Sequence, residues 1–262
     1  MVVGRGKLKG VFKGFRNRET VFGLTAATLS TPAMAQATPH VSWRCARGAL
    51  MAIVWSLMAL ATCEQVLAQG ELVRCKPVSE RTSEVGCWIM ADVPLGELSR
   101  AAVFWHLDSY PSRAAAEAAK GPHGTVIEAL GNVWLSTIGE AGWRPSGGVR
   151  VVEIGPLLVK SGEKYTARYM ESIFTPGMTS NVHRHPGPEA WYTTAGEVCL
   201  ETPDGKIVGR AGESTIVPAG PPMHLTATGT EQRRSLVLIL HESSQPSGIR
   251  VTDWTPKGLC KN

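Results

Sequence analysis

The chain has 262 residues, enough for one large or two small domains, and its hydrophobic content of 43% is that of an ordinary globular protein. The net charge of +5 is concentrated at the N-terminus, because residues 1–50 hold eight Lys or Arg and one Glu, whereas residues 51–262 hold nineteen Lys or Arg and twenty-one Asp or Glu. The larger part of the chain is therefore close to neutral. This excludes the basic stripe that a nucleic-acid-binding protein requires, so no nucleic-acid partner is expected.

The first 68 residues have the pattern of an export signal. Two arginines precede an apolar run at 49–62, and residues 66–68 supply the small side chains that a signal peptidase reads. The run is too short to cross a bilayer comfortably, since about 20 residues are needed. We therefore predict a leader over 1–68, a mature N-terminus near Gln69, and an exported protein, periplasmic or extracellular, that meets the membrane only through this leader.

Other interpretations of the leader stay open. The apolar run is alternatively an uncleaved anchor, or Cys63 is a lipoprotein processing site. A second, weaker leader pattern precedes it, so the first forty residues are either an extension upstream of a true start at Val41 or Met51, or a real segment that begins at Met1 and is cleaved after Ala35.

Four cysteines follow the leader: Cys75, Cys87, Cys199 and Cys260. An even number in an exported chain permits disulfides, with three connectivities. Cys75 and Cys87 flank a polar, turn-like stretch and are the expected pair. Buried free thiols are the alternative, because free Cys is commonly buried.

Residues 69–149 read as an N-terminal α/β extension. The clearest helix of the chain lies here, an Ala-rich segment with Ser112 as its N-cap and Gly121 as its stop. We favour an extension that adds strands to the barrel that follows and lays the helix outside; a degenerate copy of the following domain is the alternative. The expected elements are a loop-like stretch at 69–98, strands at 101–107, 125–129 and 132–138, the helix at 112–120, and a loop at 141–148.

From residue 149 to 243 the strand signals come at short, regular spacing, separated by Gly- and Pro-containing turns. Residues 202–205, Thr-Pro-Asp-Gly, are a strong turn signal. Many short strands with such turns predict an all-β barrel or sandwich, followed by a C-terminal tail at 244–262. The strands are expected at 149–159, 165–174, 180–185, 190–194, 197–201, 206–210, 214–217, 223–227 and 235–241.

One short segment of this barrel carries the residues of a metal site. His183 and His185 are two residues apart and therefore share one face of a strand. Glu189 follows a Pro-Gly-Pro turn and can face them from the next strand. Two imidazoles and one carboxylate are a ligand set for a divalent transition metal with open coordination positions, and Fe, Mn, Ni, Cu and Zn suit it alike. Trp191 lies two residues after Glu189 and therefore points to the same face of the strand. It is expected to line the same pocket, together with Met178 and Met223.

The spacing of these residues resembles the first motif of the cupin superfamily. Five residues separate Gly177 from His183, three separate His185 from Glu189, and six separate Glu189 from Gly196, so every fixed position of that motif is present. The resemblance extends to bacterial proteins known only as cupin-domain proteins, which adds no reaction.

The second cupin motif is present in part. Its Gly and Pro positions match over 212–220, but Met223 occupies the place of the expected His, and His224 follows one residue late. In a regular strand a one-residue shift turns a side chain to the opposite face, so Met223 would face the metal and His224 would point away. A bulge at 221–222 would restore His224 as a fourth ligand. We favour the bulge, and therefore the ligand set His183, His185, Glu189 and His224.

The resemblance covers about residues 150–243 and implies a cupin-type jelly-roll β-barrel with the N-terminal α/β extension before it. We expect an exported metal-binding cupin protein whose partner is a small molecule. It is either an oxygenase or related metalloenzyme acting on a small organic substrate, or a non-catalytic ligand- or metal-binding module, because a fold does not fix a function. The catalytic residues and the oligomeric state, a homodimer included, are left open.

Overall fold

The computed structural model describes residues 74–261, so the predicted leader and the predicted mature N-terminus lie outside the described residues. No helix in this part of the chain is long and apolar enough to cross a membrane. The elements are β1 (Lys76–Pro77), a 3₁₀ turn (Val78–Glu80), β2 (Gly86–Glu97), β3 (Ala102–Tyr110), α1 (Arg113–Ala119), β4 (Gly124–Ala129), β5 (Asn132–Gly139), β6 (Val149–Leu158), β7 (Lys164–Phe174), β8 (His183–Arg184), β9 (Glu189–Ala195), β10 (Glu197–Thr202), β11 (Gly205–Arg210), β12 (Ser214–Val217), β13 (His224–Thr228), β14 (Arg233–Glu242) and β15 (Ile249–Arg250).

A six-stranded sheet lies between the two main cores. Its strand order is β1-β2-β7-β14-β9-β12, and β14 pairs antiparallel with both β7 and β9. Because successive side chains of a strand point to opposite faces, β14 contributes to both cores. Leu236, Leu238 and Leu240 lie in one core, and Val237 and Ile239 lie in the other.

The first core fills the space between this sheet and a four-stranded sheet of order β4-β5-β3-β6. Trp105 and Ile154 of the four-stranded sheet and Tyr169 of the central sheet belong to this core. Helix α1 packs on the four-stranded sheet through the buried Ala116. The hydroxyl of Ser112 accepts a hydrogen bond from the N–H of Ala115 at 3.2 Å, which confirms the predicted N-cap.

The second core lies between the central sheet and a three-stranded sheet of order β11-β10-β13. Leu200 on β10 and Leu225 on β13 pack with Val237 of β14. The two sheets enclose the interior of the barrel, and the predicted all-β barrel is confirmed. The boundaries proposed for the domains stay predictions.

The segment before residue 98 differs from the prediction of a loop. β2 spans Gly86–Glu97 and pairs antiparallel with β7, so the N-terminal segment supplies a strand of the central sheet. The register shifts between Ile89 and Ala91 and again between Pro94 and Gly96. Such bulges accommodate the Gly and Pro residues that make the local sequence look like a loop.

Two disulfides tie chain segments to the barrel. Cys75 pairs with Cys87, as predicted, and Cys199 pairs with Cys260. The second bridge fastens the C-terminal tail to β10. The carboxylate of Glu201, also on β10, accepts hydrogen bonds from the backbone N–H groups of Lys257 and Leu259, so the tail is held by covalent and polar contacts together.

Candidate metal centre

His183, His185 and Glu189 converge at the wall of the barrel interior. One ligand atom from each lies within 4.8 Å of the others. The predicted strand at 180–185 is shorter than expected: only His183–Arg184 form β8, and His185 follows its end.

Backbone carbonyl groups orient both imidazoles. Nδ1 of His183 donates to the carbonyl oxygen of Asn181 at 2.7 Å, and Nδ1 of His185 donates to that of Ser247 at 2.5 Å. A carbonyl oxygen can only accept, so each ring in its neutral form carries its proton at Nδ1. The Nε2 lone pairs are therefore available, which is the usual arrangement of histidines that bind metals.

Two buried polar atoms of the group have no hydrogen-bond partner among residues 74–261. They are Nε2 of His185 and Oε2 of Glu189, which lie 3.5 Å apart, close enough for an ion pair but not aligned as a hydrogen bond. Buried polar atoms are almost always satisfied, so this pair requires an explanation. A divalent ion between them would accept both lone pairs, and the three residues therefore fit a metal.

The charges of the group suit the same role. Burial, with a further contribution from His185, holds the pKa of His183 below its ordinary value. Burial alone would raise the pKa of Glu189, but the neighbouring imidazoles outweigh it and lower that pKa. Burial would lower the pKa of His185, but the Glu189 carboxylate outweighs it and raises that pKa. An ionised carboxylate and a neutral His183 are the forms that bind a metal.

The turn before Glu189 is pressed against β14. A Cβ atom on Gly187 would lie 1.9 Å from the carbonyl oxygen of Leu240, so no other residue fits there without a shift of backbone. The N–H of Leu240 donates to the carbonyl oxygen of Pro188 at 2.9 Å. These contacts fix the start of β9 and thus the position of the Glu189 carboxylate.

His224 lies outside the group, which differs from the expectation that it supplies a fourth ligand. The chain is regular here: Met223 forms a β-bridge with His183, and His224 pairs with Glu201. Met223 is buried and lines the cavity, whereas His224 does not line it. Without a compensating bulge the one-residue shift turns His224 to the other face.

A cavity of about 400 Å³ adjoins His183, His185 and Glu189. Of the three residues predicted to line the pocket, Trp191 and Met223 lie on its wall, whereas Met178 packs against the adjoining core and does not line it. Most of its wall is apolar. The apolar lining residues are Met170, Phe174, Val182, Trp191, Met223, Leu225, Val237, Ile239 and Ile249.

Sequence reasoning missed the arginines of this wall, which are Arg74, Arg168, Arg233 and Arg250. Arg233 is fully buried at the start of β14 and lines the same cavity. A signal was available, because Arg233 has the same parity as Val237 and Ile239, which face the barrel interior.

The family model of the cupin domain matches residues 170–239, which include all three residues of the metal group. The chain carries a cupin domain. The fold class expected from the cupin resemblance is thereby confirmed for this region.

Solved structures show similarity over about a third of the chain. A cupin superfamily protein from Desulfitobacterium hafniense is 19% identical, with a TM-score of 0.27, over 33% of this chain and 74% of its own. A DMSP lyase from Ruegeria pomeroyi is 22% identical, with a TM-score of 0.29, over 35% of this chain and 45% of its own. An oxalate oxidase is 23% identical, with a TM-score of 0.28, over 33% of this chain and 46% of its own. The cupin domain thus spans less than half of either enzyme. No curated protein matches the sequence.

Proposed function

We propose that this protein is an exported metal-binding cupin that holds a small organic molecule next to a divalent transition metal and acts on it as an oxygenase or a related metalloenzyme. The observation that carries the proposal is the buried group of His183, His185 and Glu189, in which Nε2 of His185 and Oε2 of Glu189 lie 3.5 Å apart and have no hydrogen-bond partner among the described residues. Imidazole and carboxylate ligands suit Fe, Mn, Ni, Cu and Zn.

Three protein ligands would leave coordination positions free on the side of the cavity. A bound ion would supply Lewis-acid or O₂ chemistry there. The chain's own contribution is to orient the two imidazoles through the carbonyl groups of Asn181 and Ser247, and to keep the substrate among apolar side chains such as Trp191 and Met223. The apolar part of this wall favours a small molecule with an apolar, partly aromatic or enol-type body.

The two disulfides support export, because such bonds persist in oxidising compartments and are rare in the cytosol. Mass spectrometry of the protein recovered from a cell envelope or medium fraction tests this part. A mature N-terminus near Gln69 supports it, and a cytoplasmic product that retains residues 51–68 contradicts it.

A non-catalytic binding protein is the second candidate. One observation favours it: Met223 occupies the place of the fourth ligand, so the metal group has only three members in the described residues. A protein that only stores or carries a ligand needs no group beyond these three metal-binding side chains.

The two candidates differ in turnover. Purified protein is loaded with each of the five metals, and O₂ uptake is measured with a panel of small enols, catechols and carboxylates. Uptake that requires metal and is lost in His185→Ala but kept in His224→Ala supports the enzyme. Stoichiometric metal without turnover of any compound supports the binding module. Failure of the wild-type protein to retain any of the metals contradicts both the enzyme and a metal-binding module, and leaves only a module that binds a ligand without metal.

A further inference from the structure

Arg233 is a buried cation whose hydrogen-bonding capacity is only partly used. It is 1% exposed, and its Nη1 donates to the hydroxyl of Ser172 at 2.5 Å. The guanidinium lies over the rings of Phe174 and Trp191, at 5.5 and 5.7 Å from their centroids. Its Nε and Nη2 atoms are buried and have no hydrogen-bond partner in the described part of the chain.

An unpartnered buried charge is costly, and natural proteins almost always pair it. Burial lowers the pKa of Arg233 to about 10, an effect that the charge of Glu189 partly opposes, so the side chain still carries its charge at pH 7. Cation–π contacts offset only part of the lost hydration. A structural role alone therefore leaves two N–H donors of this residue unexplained.

The cavity provides no carboxylate of its own for these donors. Among the described residues of its wall, Glu189 is the one acidic side chain, and it faces the imidazoles of His183 and His185. Arg74, Arg168 and Arg250 also line the cavity. Arg168 is already neutralised, because its Nε and Nη2 donate to the two carboxylate oxygens of Asp92, both at 2.7 Å. Arg233 thus differs from Arg168 because, in the described part of the chain, no carboxylate accepts a hydrogen bond from its guanidinium.

We propose that the cavity binds a small carboxylate with an apolar body, whose carboxylate accepts hydrogen bonds from Nε and Nη2 of Arg233. The planar fork of a guanidinium matches a carboxylate with two parallel hydrogen bonds. The side chains of Met170, Leu225 and Ile239 provide the apolar surface for the remainder of the molecule. The volume of about 400 Å³ is at the small end of ligand pockets, which span about 300–1,000 Å³.

The small carboxylate is the ligand class of the proposed metal-dependent function. The inference rests on that proposed function only in placing the ligand beside the metal centre. The pairing of a carboxylate with Arg233 needs no metal. The test is therefore made on chelator-treated protein and repeated after loading with metal.

The probes are two matched pairs, benzoate with benzamide and butyrate with butyramide, which differ in charge but hardly in shape. Binding to the wild-type protein, Arg233→Met and Arg233→Lys is measured by calorimetry and ligand-observed NMR. Arg234→Met is the matched control, because Arg234 is the next residue, donates to Gln232 at 3.0 Å and does not line the cavity. Thermal unfolding identifies the variants that fold.

We expect saturable binding of at least one acid by metal-free wild-type protein, and no binding of its amide. Loss of the charge-assisted hydrogen bonds should weaken binding about 10- to 100-fold in Arg233→Met, less in Arg233→Lys, and not at all in Arg234→Met. If Arg233→Met does not fold, binding of the acids to Arg233→Lys and Ser172→Ala tests the inference instead. Each of these variants keeps a positive charge at position 233 but loses the oriented pair of guanidinium N–H donors.

Three results would overturn the inference: no binding of either acid by the wild-type protein, equal binding of acid and amide, or a folded Arg233 variant that binds as the wild type does. Metal content is measured on the same samples. Normal metal content without acid selectivity refutes the carboxylate site alone, and acid selectivity in a protein that never retains metal refutes the metal site alone.

Discussion

Met223 and His183 lie directly opposite each other and exchange two backbone hydrogen bonds, from the N–H of His183 at 3.1 Å and from the N–H of Met223 at 2.8 Å. Directly paired residues of neighbouring strands project their side chains to the same face. The bridge therefore places the thioether of Met223 beside the imidazole of His183 on the cavity wall, and it leaves His224 on the opposite face.

Met223→His should complete a four-ligand site. The new imidazole would project next to that of His183, so we expect metal affinity to rise about tenfold or more. Competition with a chromophoric chelator measures this, with Met223→Leu as the control that keeps an apolar side chain. Equal affinity of the two variants would show that position 223 does not face the metal.

Gly187→Ala should destabilise the protein. Its Cβ would lie 1.9 Å from the carbonyl oxygen of Leu240, so the turn must move away from β14. We expect a loss of about 1–3 kcal/mol in the free energy of unfolding, together with weaker metal binding because Glu189 shifts with the turn. Urea denaturation measures the loss. Gly139→Ala is the control, because its nearest contacts would be at 3.6 Å; an equal loss in both variants would refute the steric argument.

Removal of the two disulfides should have unequal effects. Their sequence separations are 61 residues for Cys199–Cys260 and 12 for Cys75–Cys87. The chain-entropy argument gives a loss of about 4 kcal/mol for the longer loop and about 3 kcal/mol for the shorter. Urea denaturation of the two double Cys→Ala variants compares them. A larger loss in the free energy of unfolding for the shorter loop than for the longer one would refute the expectation.

Stability should decrease as the solution becomes acidic, in part because of His106. This residue is fully buried, and burial, with a further contribution from Arg150, lowers the pKa of its imidazole. Since the unfolded chain takes up the proton at a pH near 6.5 and the folded chain only at lower pH, the free energy of unfolding falls as the pH drops below about 6.5. Denaturation of the wild type and His106→Gln between pH 5 and 7 tests this. The pH dependence should be smaller in the variant, and an identical dependence contradicts it.

The local pattern was sufficient for the metal group, because His183, His185 and Glu189 are close in sequence and their spacing alone brings them together. The local pattern was sufficient for α1 as well, because Ser112 as an N-cap and the alanines that follow it both favour a helix. The carbonyl groups of Asn181 and Ser247, which orient the imidazoles, carry no signal in the side-chain sequence. The contact with Ser247 also joins residues 62 positions apart.

The remaining differences come from pairing between distant segments. β2 contains Gly86, Pro94 and Gly96, which disfavour a strand locally, but pairing with β7 outweighs that preference. Arg233 is a second case. Its charge favours an exposed position, but the alternation of side chains along β14 places it on the face of the barrel interior. Local preference fails at these places because tertiary contacts decide the conformation.

Metal analysis of single-ligand variants tests the central claim most directly. Elemental analysis by mass spectrometry is made on the folded wild type, on His183→Ala, His185→Ala and Glu189→Ala, and on His224→Ala as the control. The account predicts stoichiometric transition metal in the wild type and His224→Ala, and strongly reduced metal in the other three, because each loses one of only three ligands. Unchanged metal content in the His183→Ala/His185→Ala double variant, or an equal loss in His224→Ala, would contradict it.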